Sequence, residues 1–207
     1  VAQDYSEAAR YYRKAADRGH AKAQYNLGIL HAEGRGVTQD YGAAADWYGK
    51  AATQGVAGAQ SNLGRLYAEG RGVSRDYATA AGWYRKAAEQ GLAGAQYNLG
   101  LLTATGQGVT RDYAAAATWF RKAAGQGIAP ARYSLGFQYV SGLGVKQDYA
   151  AAAEAQAKEM GLGVVMKGRR ADGSGFSHFD TAGQGAAMLS ARQTPVAKDG
   201  GGHGDDR

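Results

Sequence analysis

Four histidines, His20, His31, His178 and His203, are the first side chains to weigh for chemistry, because imidazole serves as a metal ligand and as a general base near neutral pH. A helical zinc site would need His-Glu-x2-His or His-x3-His, and no pair here has that spacing. His20 and His31 stand where Val56 and Tyr67 stand one period later, so both read as variants of a repeated position. The sequence has 0 cysteines, which removes disulfides, thiolate zinc sites and cysteine nucleophiles together. No serine is followed three residues later by lysine, so the nucleophile pattern of β-lactamases and penicillin-binding proteins is absent. Gly34-x-Gly36 and its copies follow a helical pattern, lack a third glycine and are followed by no Lys-Ser/Thr. They read as turn glycines and not as a phosphate loop. The expectation is a non-catalytic chain with no metal and no cofactor.

Charge narrows the partners. The formal net charge is +6, but the basic residues come as scattered pairs such as Arg13-Lys14, Arg85-Lys86 and Arg121-Lys122. Pairs spread in this way read as solvated helix faces, whereas nucleic-acid binding calls for an aligned basic stripe. No apolar run approaches 18 residues, so no membrane-spanning helix is expected. The chain opens at Val1 inside a repeat, and Tyr11 and Tyr12 keep the internal pattern, so a further repeat is expected to precede it. Any export signal would lie upstream, which leaves cytoplasmic, periplasmic and secreted placements all open.

The elements that must position any site come from one repeated string. Gly-x-Gly-Val-x-x-Asp-Tyr occurs at Gly34–Tyr41, Gly70–Tyr77, Gly106–Tyr113 and Gly142–Tyr149, and Val1–Tyr5 is its truncated copy. A period of 36 residues belongs to helical solenoids, in which each unit buries its apolar face against the next. The first helix of each copy is expected over 22–33, 58–69, 94–105 and 130–141. Ala59, Leu63 and Leu66 follow i, i+4, i+7 there, and Gly70 is suited to the left-handed position after the helix. The second helix is expected from Asp40, a natural N-cap, to Gln54. Tyr41, Ala44, Ala45, Tyr48 and Ala52 share its buried face, and Trp47 is expected to fill the space between helices. Gly28, Gly64, Gly100 and Gly136 lie inside first helices, where glycine costs roughly 1 kcal/mol against alanine. Their constant phase implies a close backbone approach.

The full pattern, Ala59-x3-Leu63-Gly64-x2-Tyr67-x2-Gly70-x-Gly72-Val73-x2-Asp76-x3-Ala80-x2-Trp83-x2-Lys86-Ala87-Ala88-x2-Gly91, resembles the Sel-one-like repeat, a relative of the tetratricopeptide repeat. The resemblance covers about residues 1–163. It implies an all-α fold, a right-handed α/α superhelical solenoid of about 36-residue helix-turn-helix repeats. It also implies an adaptor or scaffold role in protein complexes, with export and envelope roles among bacterial members. In that register an orphan helix at 4–18 precedes helix pairs at 20–55, 56–91, 92–127 and 128–163. In the last pair Ala155 takes the tryptophan position and Glu154, Gln156, Lys158 and Glu159 make the helix polar, as a capping repeat should be. Residues 164–207 are Gly-rich without apolar periodicity and are expected to form a disordered tail.

Copies of one unit can be compared with one another. Positions identical in every copy carry the architecture, and positions that vary are free for something else. The most variable face of the first helix reads Lys22, Tyr25, Ile29, Glu33; Gly58, Ser61, Arg65, Glu69; Gly94, Tyr97, Leu101, Thr105; Pro130, Tyr133, Phe137, Ser141. At about 100° per residue these share one side, apart from the Ala-Leu-Leu stripe. By the tetratricopeptide resemblance that side is concave. Tyr25, Ile29, Arg65, Tyr97, Leu101, Tyr133 and Phe137 are therefore the candidate binding residues for a peptide or protein partner. The competing reading is that these large side chains only pack between repeats. Glycan or nucleic-acid binding is the alternative function, weakened by a groove whose only basic residues, Lys22 and Arg65, are offset by Glu33 and Glu69.

Overall fold

Five aspartates at the repeat spacing start five helices. In the computed structural model, the described residues are 4–159, 163–169 and 175–180, with side chains described through residue 155. The helices are α1 (Tyr5–Ala16), α2 (Ala21–Glu33), α3 (Tyr41–Thr53), α4 (Ala57–Glu69), α5 (Tyr77–Glu89), α6 (Ala93–Thr105), α7 (Tyr113–Gly125), α8 (Ala129–Ser141) and α9 (Tyr149–Glu159). Asp40 Oδ1 accepts from the Ala43 amide at 3.0 Å, and Asp112 Oδ1 from Ala115 at 2.9 Å, satisfying donors that the helix itself leaves open. Asp4, Asp76 and Asp148 cap α1, α5 and α9 in the same way. The first helices of each pair, α2, α4, α6 and α8, have no side-chain cap and end instead on left-handed glycines such as Gly70, φ 69°. The expected helix boundaries are met to within a residue or two.

Each helix packs on its neighbours in sequence, so the core is a row of similar clusters. The mid-helix glycines have a specific cause. A Cβ on Gly28 would lie 2.7 Å from the Tyr48 ring, and one on Gly100 would lie 2.8 Å from Phe120. In these pairs, and at 3.1 Å for Gly64 and Tyr84, the ring on the second helix presses against the backbone of the first. This corrects the role expected for tryptophan. Tyr48, Tyr84 and Phe120 are the rings that fill each pair, at 1%, 3% and 2% exposure. Trp47 is buried against the α1–α2 cluster, while Trp83 and Trp119 are half-buried along the joint with the preceding repeat. Lys50, Lys86 and Lys122 lie over these three indoles at 4.0, 4.3 and 4.4 Å.

Two further devices join successive repeats. Gly72 has φ +70°, and a Cβ there would collide with the backbone of Tyr41 and Gly42 at the start of α3. Gly36, Gly108 and Gly144 meet Tyr5, Tyr77 and Tyr113 in the same way. The second device is a glutamine relay. Gln60 donates to the Ala52 carbonyl at 3.1 Å and accepts from Gln90 at 2.8 Å; Gln24 and Gln96 do the same with Ala16 and Gln54, and with Ala88 and Gln126. In the last copy Arg132 replaces the buried glutamine and reaches the Ala124 carbonyl at 3.4 Å.

After α9 the chain forms an antiparallel strand pair, β1 (Gly163–Arg169) and β2 (Gly175–Asp180), with Val165 opposite His178. The pair packs on α9. The expected tail therefore begins with regular structure that the sequence reading did not place. Gly-Val-Val-Met and Phe-Ser-His-Phe do carry residue types favoured in strands, but between glycines and without helical period. The rest of 164–207, including His203, lies outside the described residues.

Candidate functional site

The variable stripe runs along α2, α4, α6 and α8, and its residues have unequal surroundings. Tyr25 is half-buried, its ring 6.0 Å from that of Tyr48 and tilted by 42°. Its hydroxyl end extends over Gly58 of α4, where a Cβ would come within 2.8 Å. Tyr97 sits equivalently on Phe120, again at 6.0 Å. Ile29 is half-buried against the core of the α3–α4 cluster. For Tyr25, Tyr97 and Ile29 the packing reading thus has substance. Leu101, Tyr133 and Phe137 are different, at 41%, 61% and 55% exposure, large apolar surfaces left in solvent on the same stripe.

Tyr25, Ile29 and Arg65 converge on one cleft of about 620 Å³ between α2, α3 and α4. Its walls add Asn62, Gln39 and Tyr41, with Tyr48 behind them. Tyr97, Leu101, Tyr133 and Phe137 do not line this cleft. They lie further along, on α6 and α8. Gln39 Nε2 donates to the Ala32 carbonyl at 2.8 Å and to the Tyr41 hydroxyl at 3.2 Å. Burial pushes the Tyr48 phenol up to about 12, opposed by the Asn62 amide beside it, so Tyr48 stays a neutral donor at all ordinary pH. Tyr84 is likewise raised to about 12 by burial and by Glu69, with Arg65 opposing.

Charges on this face are mostly paired. Arg35 holds Glu33 at 3.1 Å and Arg71 holds Glu69 at 3.1 Å, while Arg65 reaches the same Glu69 oxygen only at 3.7 Å. Residue-by-residue comparison of copies does not single out Asn62, because Asn26, Asn62 and Asn98 agree and only the fourth copy differs, with Ser134. It also missed Gln39 and Tyr41, which come from the loop and the second helix.

His31 is half-buried in α2, with its Nε2 3.1 Å from Arg13 Nη2. Burial first and Arg13 second hold its pKa below the usual imidazole range, against Asp40, which raises it. His20 precedes α2 at the cap position and makes no side-chain cap bond. Among the described residues no three His, Cys, Asp or Glu side chains gather as a metal site, and no helix is long and apolar enough to cross a membrane.

The Sel1 repeat family profile matches residues 1–20, 21–56, 57–92, 93–128 and 129–154, which is most of the chain. This chain belongs to the Sel1 repeat family. Its solved relatives share the architecture. A protective antigen of uropathogenic Escherichia coli displaying an SLR fold is 42% identical with a TM-score of 0.76, over 78% of this chain and 34% of that one. A Sel1 repeat protein of Oxalobacter formigenes is 37% identical with a TM-score of 0.67, over 74% of this chain and 65% of that one. Among curated proteins, DAP3-binding cell death enhancer 1 of Rattus norvegicus is 56% identical over 34 residues, about one repeat. That match spans 16% of this chain and 7% of the rat protein. Sel1 repeat solenoids are in general protein-interaction folds, and the expected solenoid of helix-turn-helix repeats is the one found over α1 to α9, with the strand pair following it.

Proposed function

We propose that this Sel1 repeat chain is a non-catalytic scaffold that holds an extended or helical peptide segment of a protein partner along the face made by α2, α4, α6 and α8. One observation carries the reading: the stripe that varies between copies exposes Leu101, Tyr133 and Phe137, large apolar side chains that the packing of the repeats does not bury. Aromatic residues with a free face and one apolar neighbour per turn are the usual anchors of a peptide groove. The curated relative that matches one repeat is itself named for binding a protein. Against a nucleic-acid ligand, the cleft holds two arginines, Arg35 paired to Glu33 and Arg65, too few for an aligned basic stripe.

The test is a Tyr133→Ala/Phe137→Ala double variant, assayed against peptides selected from a random 12-residue display library on the intact chain. Tyr97 is a poorer target, since its ring also supports Phe120. Melting is expected to stay within a few degrees of the parent, because both rings are more than half exposed. Affinity is expected to fall by at least about 2 kcal/mol if either ring is a hot spot. Full affinity in the folded double variant would move the site off this face.

A further inference from the structure

We infer that the cleft between α2, α3 and α4 is a seat for one carboxylate side chain, aspartate or glutamate, of the bound peptide; the inference rests on the groove reading above. Arg65 is the first reason. The equivalent positions hold Ile29, Leu101 and Phe137, so a guanidinium has replaced an apolar side chain in one copy. Nothing in the repeat's architecture calls for it there.

The second reason is that this guanidinium is poorly neutralised. Its carboxylate partner, Glu69, stands at 3.7 Å and uses the same Oε2 for a 3.1 Å contact with Arg71. An N–O separation of 3.7 Å is too long for a charge-assisted hydrogen bond, whose optimum is about 2.7–2.9 Å. The Arg65 side chain keeps 42% of its surface, so its donors remain free to turn toward a ligand.

The third reason is the balance of the walls. The Tyr25 hydroxyl makes no hydrogen bond to a described residue. The Tyr41 oxygen accepts from Gln39, which leaves its proton free to donate. Asn62 has one amide hydrogen engaged with the Tyr48 phenol and a second to offer, and the elevated pKa of Tyr48 fixes another neutral phenol behind them. The carboxylate in the lining, Glu33, is already held by Arg35 at 3.1 Å. A cleft with a surplus of donors and one under-compensated cation selects an acceptor with negative charge. Its volume of about 620 Å³ admits a short acidic side chain with its backbone.

The same stripe changes character along the chain, from the cleft with Arg65 between α2 and α4 to Leu101, Tyr133 and Phe137 on α6 and α8. The partner segment is therefore acidic at one end and apolar at the other.

The experiment runs the random 12-residue display library in parallel on the intact chain and on Arg65→Ile, which installs the residue of the first copy and is expected to fold normally. Peptides from the parent should be enriched in Asp or Glu at a fixed distance from an apolar anchor, and those from Arg65→Ile should lose that enrichment. For one selected peptide, Glu→Gln in the peptide and Arg65→Ile in the protein should each weaken binding about tenfold, the loss of a charge-assisted contact. The two losses should not add, and the parent affinity should fall with salt. Equal enrichment on both proteins, or additive losses, overturns the carboxylate seat. Tighter Arg65-dependent binding of a phosphoserine peptide also overturns it, in favour of phosphate. If Tyr133→Ala/Phe137→Ala abolishes binding while Arg65→Ile does not, the groove stands and the seat falls. If the library yields no binder, both fall.

Discussion

Gly72→Ala is the sharpest perturbation of this fold, because it loads two separable costs on one methyl group. At φ +70° an alanine bears the left-handed penalty of about 1–2 kcal/mol. The same methyl would collide with the carbonyl of Tyr41 and the amide of Gly42, atoms of α3 that have no alternative rotamer. Relieving that overlap by moving the loop away costs typically about 1–3 kcal/mol more. Gly91→Ala is the matched control: φ is +90° and nothing lies within 4 Å of its Cβ position, so only the conformational penalty applies. Urea unfolding followed by helical circular dichroism should therefore place Gly91→Ala about 1–2 kcal/mol below the parent and Gly72→Ala about 2–5 kcal/mol below it. Because coupling in a solenoid is between neighbours, Gly72→Ala should also broaden or split the transition as α1–α3 separate from the rest. A Gly72→Ala variant within about 0.5 kcal/mol of Gly91→Ala, with a single transition, would refute the idea that the joint is a backbone contact.

Tyr84→Ala should destabilise by about 3–5 kcal/mol and Trp83→Ala by clearly less, since the tyrosine ring is the buried one and the indole is half-buried; denaturation midpoints in the reverse order would restore tryptophan as the core ring. Asp112→Ala removes the acceptor for the Ala115 amide and should cost about 1 kcal/mol, with Asp112→Asn recovering most of it in the same assay. His31 has its folded pKa below its unfolded value, so the unfolded chain binds the proton more readily in between. Its contribution to stability is full above about pH 6.5 and is lost as pH falls through the folded value. His31→Tyr, the residue of the second and fourth copies, should flatten the dependence of melting temperature on pH between 7.5 and 5, and an unchanged slope would assign it elsewhere.

The helices were legible because their signals are local: an aspartate before each second helix, a glycine after each first, and alanines at helical spacing between them. Tyr48 and Trp47 show where local signals stop. Both are large, both lie on the apolar side of α3, and only the placement of α2 decides which ring meets Gly28 and which faces the neighbouring repeat. The glutamine relay was invisible for a related reason. Gln24 and Gln54 are 30 residues apart, and their 2.7 Å bond exists only once α2 and α3 are paired, while the bond from Gln24 to the Ala16 carbonyl needs the preceding helix as well. At the candidate site, comparison of copies singles out Arg65 and the exposed Phe137 but passes over Asn62, which three of the four copies share. Constancy marks whatever every unit needs, and a unit can need a polar wall as well as a core.

The glycine joints also make this protein a measuring rod. At Gly36, Gly72, Gly108 and Gly144 each repeat rests on the main chain of the one before it, with no side chain at that point of contact to repack. That backbone contact constrains how each unit sits on the last without involving the exposed amino acids of the groove. Duplicating or deleting a whole 36-residue unit changes the length of the rod in a fixed step and leaves its bend alone. Residues such as Arg65 can be exchanged freely in the meantime. Reach and specificity are two independent variables in this architecture, one counted in repeats and the other written in side chains.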